Sequence, residues 1–150
     1  TGARAWTPDD AELAALKALA DGGGSVLVDA AAGSPSFAKS ARAALEKAFG
    51  RLEELPEDDM LAEGRFVGGA DLTRGLRYTL PARKLLRKRG RRHDAARLWV
   101  ARHSGRPAVF FSEFDLTTGL AGAAVYRSLG YRPESARKVV ANLCAYLMAD

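Results

Sequence analysis

The chain has 150 residues, of which 47% are hydrophobic and 27% are charged, and its formal net charge is +5. This length and balance suit a single globular domain over residues 1–150 and argue against intrinsic disorder. No apolar stretch approaches the ~20 residues of a membrane helix, and the single cysteine, Cys144, excludes an internal disulfide and a multi-cysteine metal site. We therefore expect a soluble domain with no membrane span, no metal ion and no cofactor.

The first fifty residues alternate between helix and strand signals. Thr7-Pro8-Asp9-Asp10 predicts a helix start with Thr7 as the N-cap, and leucines and alanines at helical spacing extend this helix over residues 7–20. The apolar run Ser25-Val26-Leu27-Val28-Asp29 predicts a central parallel strand that is buried on both faces. A small-residue loop follows, and a second helix is predicted over residues 36–49.

The rest of the chain is less regular until its last third. Residues 76–80 predict a short strand, and residues 82–88 are compatible with a helix. Two apolar runs at residues 98–102 and 108–112 flank a turn with Ser and Gly, which predicts a β-hairpin near the C-terminus. Pro133 begins the last predicted helix, over residues 133–148.

A helix, a strand and a helix in quick succession are typical of an open α/β sheet. A central parallel strand needs a neighbour on both sides, yet the chain begins with a helix just before its first apolar strand. We therefore expect that an N-terminal strand is lacking and that the chain is a segment of a longer protein.

Three stretches together resemble a bacterial family known as domain of unknown function 4159. The first comprises Thr1-Gly2, Thr7-Pro8-Asp9-Asp10 and the glycine-rich entry to the strand at residues 22–29. The second is Leu55-Pro56-Glu57-Asp58-Asp59, although the family usually has His where Asp59 stands. The third runs from Gly105 through Ser112 to Asp115-Leu116, Gly130-Tyr131 and a helix that contains Asn142.

This resemblance implies a fold similar to class I glutamine amidotransferases and ThuA-like proteins. That fold is a three-layer, flavodoxin-like α/β sandwich with a mostly parallel sheet. The resemblance also implies a part of a larger, membrane-associated or exported bacterial protein. It implies no particular reaction, because function depends on the site rather than on the fold.

Amidotransferases of this fold use a Cys–His–carboxylate triad, with the nucleophile in a sharp turn after a central strand. Here that turn contains Asp29 followed by three alanines. Cys144 lies among apolar residues of the last helix and is interpreted as a packed core thiol. His93 and His103 fall in loop and turn positions typical of solvated side chains. The triad is therefore absent, and the chain is interpreted as a pseudoenzyme.

Polar residues follow two of the predicted strands. Ligands of open α/β sheets bind at the carboxyl ends of strands, so we predict a binding site between residues 29–36 and residues 113–118. The alternative is that Asp29 and Asp115 only cap loops or helices. The candidate ligand-binding residues are Asp29, Ser34, Ser36, Glu113, Asp115, Thr117 and Thr118.

The positive charge is concentrated in one segment. Without its seven basic residues, 16 basic residues remain against 18 acidic ones. A solvated helix end is one interpretation and an anionic-polymer patch is the other; a single-strand nucleic-acid platform is disfavoured because no aromatic residue lies among the basic ones. The basic patch consists of Arg83, Lys84, Arg87, Lys88, Arg89, Arg91 and Arg92.

Three functions follow from these observations. The leading hypothesis is a non-enzymatic binding or interaction domain, whose partners include other domains of the parent protein. The second is a hydrolase-like enzyme that uses the strand-end carboxylates. The third is anionic-polymer binding through the basic patch.

Overall fold

The computed structural model describes residues 1–123 and 125–149, which form a four-stranded sheet with helices on both faces. The strands are β1 (Val26–Asp29), β2 (Glu53–Glu54), β3 (Trp99–His103) and β4 (Arg106–Ser112). Their order across the sheet is β1-β4-β3-β2. β1 and β4 are parallel, whereas the β4–β3 and β3–β2 pairs are antiparallel.

The sheet is therefore mixed, and the prediction of a mostly parallel, flavodoxin-like sheet is wrong. β1 lies at the edge of the sheet rather than at its centre, and its Leu27 is 37% exposed. Beyond β1, an isolated parallel bridge between Gly2 and Ala30 is the only further strand pairing among the described residues. The apolar character of β1 has another cause: Val28 packs against residues of the second helix.

Six α-helices of the described residues accompany the sheet, and three of them confirm predicted helices. Asp9 caps the first helix through a reciprocal pair of hydrogen bonds with Glu12, at 2.8 and 2.9 Å, so this helix begins later than the Thr7 cap predicted. The helices are α1 (Asp10–Asp21), α2 (Pro35–Phe49), α3 (Met60–Glu63), α4 (Leu80–Lys88), α5 (Thr117–Leu120) and α6 (Pro133–Met148).

The predicted hairpin is confirmed as the β3–β4 pair, and its alternating side chains divide the core in two. Phe110 lies in one cluster, together with residues from α4 and α6. Val109 and Phe111 lie in the other cluster, together with residues from α2. The predicted strand at residues 76–80 is wrong: Tyr78 forms only an isolated bridge with Tyr131, and α4 begins at Leu80.

One buried amide joins the middle of the chain to α6. Asn142 is 1% exposed, and its side-chain nitrogen donates to the Leu61 carbonyl at 2.7 Å. Its side-chain oxygen accepts from the Ala70 N–H at 2.6 Å. Both halves of the amide are therefore used, which is what a buried polar side chain requires.

The turn between β1 and α2 contains a close backbone approach. Gly33 ends a short 3-10 turn (Ala31–Gly33) with φ of 69°, and a Cβ at this position would lie 2.3 Å from the Leu129 carbonyl oxygen. The turn and the segment around Leu129 therefore depend on glycine here.

Replacing Gly33 by Ala is expected to lower the free energy of unfolding by about 2 kcal/mol or more, since the new methyl group meets backbone and the conformation disfavours it. Urea unfolding measures this change. Gly22→Ala is the control because Gly22 has φ of −76° and its Cβ would have 3.5 Å to the nearest atom. Equal effects of the two substitutions would contradict the packing described for this turn.

Candidate functional site

Asp29 is the last residue of β1 and Asp115 follows the neighbouring parallel strand β4, and both carboxylates are buried, at 5% and 0% exposure. Asp29 Oδ2 accepts from the backbone N–H groups of Leu116 and Thr117 at 3.1 and 3.2 Å. Its Oδ1 accepts from the Thr117 hydroxyl at 2.9 Å. The hydrogen bonds of Asp29 therefore connect the end of β1 to the loop that follows β4.

Asp115 makes the reciprocal connection. Its Oδ2 accepts from the Ala32 N–H at 2.8 Å and from the Ser128 hydroxyl at 3.1 Å. The Thr118 hydroxyl also donates to Oδ2, and the Thr118 N–H donates to Oδ1 at 3.0 Å. The two loops of the predicted site do meet, but these two carboxylates bind protein donors within the loops.

Replacing Asp115 by Asn is expected to cost about 2 kcal/mol or more of unfolding free energy, because the amide places a donor where buried donors need acceptors. Asp58→Asn, at an exposed position, should stay within about 0.5 kcal/mol of the parent protein. Chemical denaturation gives both values. An Asp115→Asn variant of parental stability would contradict the bonding scheme of the two loops.

The hydroxyl residues of the predicted site are divided between the two loops. Ser34 caps α2, accepting from the Phe37 N–H at 3.4 Å, and it donates to the Ala3 carbonyl at 2.8 Å. Ser36 lies beside it, with 3.1 Å between the two hydroxyl oxygens. Thr117 and Thr118 bond to the buried carboxylates described above.

Glu113 is placed differently from the two aspartates, because its side chain is 29% exposed. It lies at the junction of two adjoining clefts of about 220 and 210 Å³, which together we call the Glu113 cleft. Phe114 and Arg89 also line both parts. The first part reaches Gly33 and α2, and the second reaches Trp99 and Arg97 of the β3 region. The cleft thus lies beside the predicted pair of loops.

Two guanidinium groups flank Glu113. Arg42 Nη1 lies 3.6 Å from one carboxylate oxygen, and Arg89 Nη1 lies 3.5 Å from the other. A cation–π contact and an ion pair also hold Arg42 in position: its guanidinium carbon is 3.7 Å from the centre of the Trp99 ring, and its Nε lies 3.2 Å from Glu46. Arg89 is 53% exposed and has more freedom.

A tighter ion-pair network closes the other end of the cleft. Glu54 of β2 accepts from Arg91 and, at 2.6 Å, from Arg97 Nη1. Burial raises the pKa of Glu54, but the hydrogen bonds and charges of Arg91 and Arg97 lower it further, so that the pKa is below its ordinary value. The Arg97 Nε atom is buried and has no hydrogen-bond partner among the described residues.

The lowered pKa of Glu54 determines the direction in which the stability of the fold changes with pH. The carboxylate contributes stability above the pKa of a glutamate in the unfolded chain, about 4.3, and this contribution is lost as pH falls through the lower folded pKa. Glu54→Gln should therefore lower stability at neutral pH and make the acid limb shallower, as measured by urea unfolding between pH 7 and pH 3. Glu53→Gln is the control, since Glu53 is exposed and forms no ion pair among the described residues. A Glu54→Gln variant with the parental acid limb would contradict this assignment.

The basic patch is split by the structure. Arg89 and Arg91 line the Glu113 cleft, while Arg92 pairs with Glu57 and Asp94 at 2.8 and 3.1 Å. Arg83 lines a separate cleft. The other three, Lys84, Arg87 and Lys88, are exposed on α4. The seven residues do not line one cleft.

The residues considered for a triad lie apart from the β1–α2 turn. Cys144 is exposed on α6, so its interpretation as a packed core thiol is wrong: the apolar run around it turns Leu143, not Cys144, towards the core. His103 Nε2 lies 2.5 Å from Asp21 at the far end of β3. In the turn itself, Ala32 has φ of 54°, a conformation uncommon for residues other than glycine. It therefore offers a strained backbone without a nucleophilic side chain.

Two surveys of the described residues bear on metals and membranes. Within residues 1–123 and 125–149, no group of three or more His, Cys, Asp or Glu side chains is arranged to hold a metal ion. None of the helices in this part of the chain combines the length and apolarity needed to cross a bilayer.

Several cleft residues escaped the sequence reasoning. Arg42 lies in a helix that was recognised by its apolar stripe, and nothing in the spacing marks it as facing Glu113. Trp99 and Arg97 lie near the start of the hairpin, and Glu54 lies in a segment interpreted as loop.

The fold and cleft define an α/β domain with a polar, arginine-rich site at one end of a mixed sheet. The family described as Domain of unknown function (DUF4159) matches residues 1–148. The chain belongs to this family. Among curated proteins, the comparison found no relative of the chain.

Proposed function

We propose that this domain is a binding module that takes a small carboxylate bearing a hydroxyl or amine group in the Glu113 cleft. The ligand's acid group binds Arg42 and Arg89, and its hydroxyl or amine donates to Glu113. The proposal rests on the Glu113 carboxylate, which two guanidinium groups share. Their Nη1 atoms lie 3.5–3.6 Å from its oxygens, farther than the about 2.7–2.9 Å that is usual for a charge-assisted hydrogen bond.

The charge of the cleft supports an anionic ligand. Its lining includes two acids, Glu54 and Glu113, of which Glu54 is bound by Arg91 and Arg97. The cationic side chains outnumber them, so the local potential is positive and attracts anions. These cationic residues are Lys39, Arg42, Arg89, Arg91 and Arg97.

The walls of the cleft supply the apolar surface that small-ligand sites usually have. Phe114, Leu85 and Leu86 line it beside the charged groups. Arg42 is oriented by Trp99 and Glu46 before any ligand arrives, which reduces the entropy lost on binding. Arg89 is exposed and adjusts to the ligand.

The alternative functions have less support. A hydrolase that uses Asp29 and Asp115 would have to break the hydrogen bonds that these two buried carboxylates accept from loop backbone. A polymer-binding surface is disfavoured by the division of the basic patch. An amidotransferase-like pseudoenzyme remains a prediction that rests on the alanines of the β1–α2 turn.

Trp99 fluorescence tests the proposal, because Arg42 stacks on this ring. The experiment uses a Trp6→Phe background, which leaves Trp99 as the single tryptophan, and compares malate with succinate at constant ionic strength. These dianions differ by one hydroxyl group. Malate is expected to saturate with a Kd on the order of 1 mM and to bind more tightly than succinate.

Three variants distinguish the contributions of Arg89 and Glu113 to malate binding, with Lys88 as the control. Arg89→Ala should weaken malate binding about tenfold, whereas Lys88→Ala, its exposed neighbour on α4, should leave it unchanged. Glu113→Gln should reduce the preference for malate and tighten succinate binding, because a negative charge next to the arginines is removed. If neither acid saturates, or if Lys88→Ala matches Arg89→Ala, the proposed function is wrong.

A further inference from the structure

A second cleft, of about 320 Å³, shares no lining residue with the Glu113 cleft. Three arginines line it: Arg77, Arg83 and Arg132. We propose that it binds the phosphate group of a small phosphorylated molecule through these three guanidinium groups. The two sites are independent, since neither proposal requires the other.

The three arginines of this cleft carry uncompensated charge. Among the described residues, the side chains of Arg77, Arg83 and Arg132 have no ion pair and no side-chain hydrogen bond, unlike Arg89, Arg91 and Arg92 of the neighbouring segment. The cleft has one acid, Asp94, whose carboxylate is bound by Arg92 at 3.1 Å. The carboxylate of Asp94 is thus already engaged outside the group of three arginines.

The backbone brings two of the arginines to opposite positions of paired segments. Tyr78 and Tyr131 form an antiparallel bridge, and the Arg132 N–H donates to the Arg77 carbonyl at 2.8 Å. Like charges at adjacent positions of paired segments are destabilising. A bound anion would remove that cost, and a dianion matches several guanidinium groups better than a single carboxylate does.

Arg83 has a hydrogen-bond donor that is not used. The Arg83 Nε atom is buried and has no hydrogen-bond partner among the described residues. A buried donor without a partner costs free energy, so a rearrangement of the Arg83 side chain that brings Nε to an acceptor of the ligand would be favoured. Arg132 is in addition the N-cap residue of the sixteen-residue helix α6 and provides no side-chain cap, so the positive end of the helix dipole lies beside the site.

The geometry favours a compact phosphate over an extended polymer. The floor of the cleft includes Leu76 and Tyr78, which are 3% and 1% exposed, and the Tyr78 hydroxyl already donates to the Ala95 carbonyl at 2.7 Å. The binding groups are therefore the arginines, with His93 also lining the cleft. Each guanidinium offers several donors in a fixed plane, which suits the oxygens of a phosphate.

Titration with inorganic phosphate, followed by NMR chemical shifts of arginine side chains and by thermal unfolding, tests this site. Ionic strength is held constant with sodium chloride, and acetate is titrated in parallel. Phosphate is expected to bind with a Kd on the order of 1 mM and to raise the melting temperature. Acetate should bind at least about tenfold more weakly.

The variants Arg77→Ala, Arg83→Ala and Arg132→Ala should each weaken phosphate binding about tenfold or more. Lys84→Ala is the matched control, since Lys84 is exposed on α4 next to Arg83 and does not line the cleft. In buffer free of phosphate, Arg77→Ala and Arg132→Ala should also raise the melting temperature because a repulsion between like charges is removed. Arg132→Lys, which keeps the charge but loses the planar donor pair, should bind phosphate with intermediate affinity.

Three results would overturn the proposal. One is phosphate binding that none of the three variants weakens, and another is acetate binding as tight as that of phosphate. The third concerns a polymer: binding of a single-stranded oligonucleotide that Lys84→Ala and Arg87→Ala abolish, without saturable binding of inorganic phosphate, would assign the charge to a polymer surface.

Discussion

The pair of buried carboxylates at the ends of β1 and β4 is the constraint on which the rest of this end of the molecule depends. Asp29 reaches from β1 to the loop after β4, and Asp115 reaches back from that loop to the turn after β1. Each carboxylate accepts hydrogen bonds from two backbone N–H groups of the facing or following loop and so satisfies donors that are buried or partly buried. The two loops therefore adopt one arrangement, and α2 leaves the sheet in a fixed direction.

The Glu113 cleft follows from this arrangement. Glu113 stands between β4 and Asp115, so the bonds of Asp115 fix its backbone while its own side chain stays at the surface. Gly33, at the entrance to α2, lines the same cleft from the other loop. A rigid scaffold thus presents side chains of different freedom, with Arg42 stacked on Trp99 and Arg89 exposed. Binding sites commonly combine a rigid scaffold with a few mobile side chains.

Local patterns predicted the helices and the hairpin, because caps, apolar periodicity and turn residues act over a few positions. The same patterns misjudged β1: an apolar run does not reveal whether burial comes from neighbouring strands or from a helix such as α2. The sequence did predict that residues 29–36 and 113–118 meet, because both segments follow predicted strands. Of the arginines in the two clefts, the sequence singled out only those of the basic segment. Arg77 and Arg132 could not be paired from the sequence, because they are 55 positions apart and the Tyr78–Tyr131 bridge brings them together.

The buried amide of Asn142 has a consequence for the order in which the chain folds during synthesis. Its two bonds join α6 to residues 81 and 72 positions earlier, Leu61 and Ala70. Until α6 has left the ribosome, the Ala70 N–H and the Leu61 carbonyl lack this partner. The segment around α3 therefore reaches its final structure late, after β1 and α2. During synthesis, its folding depends on α6.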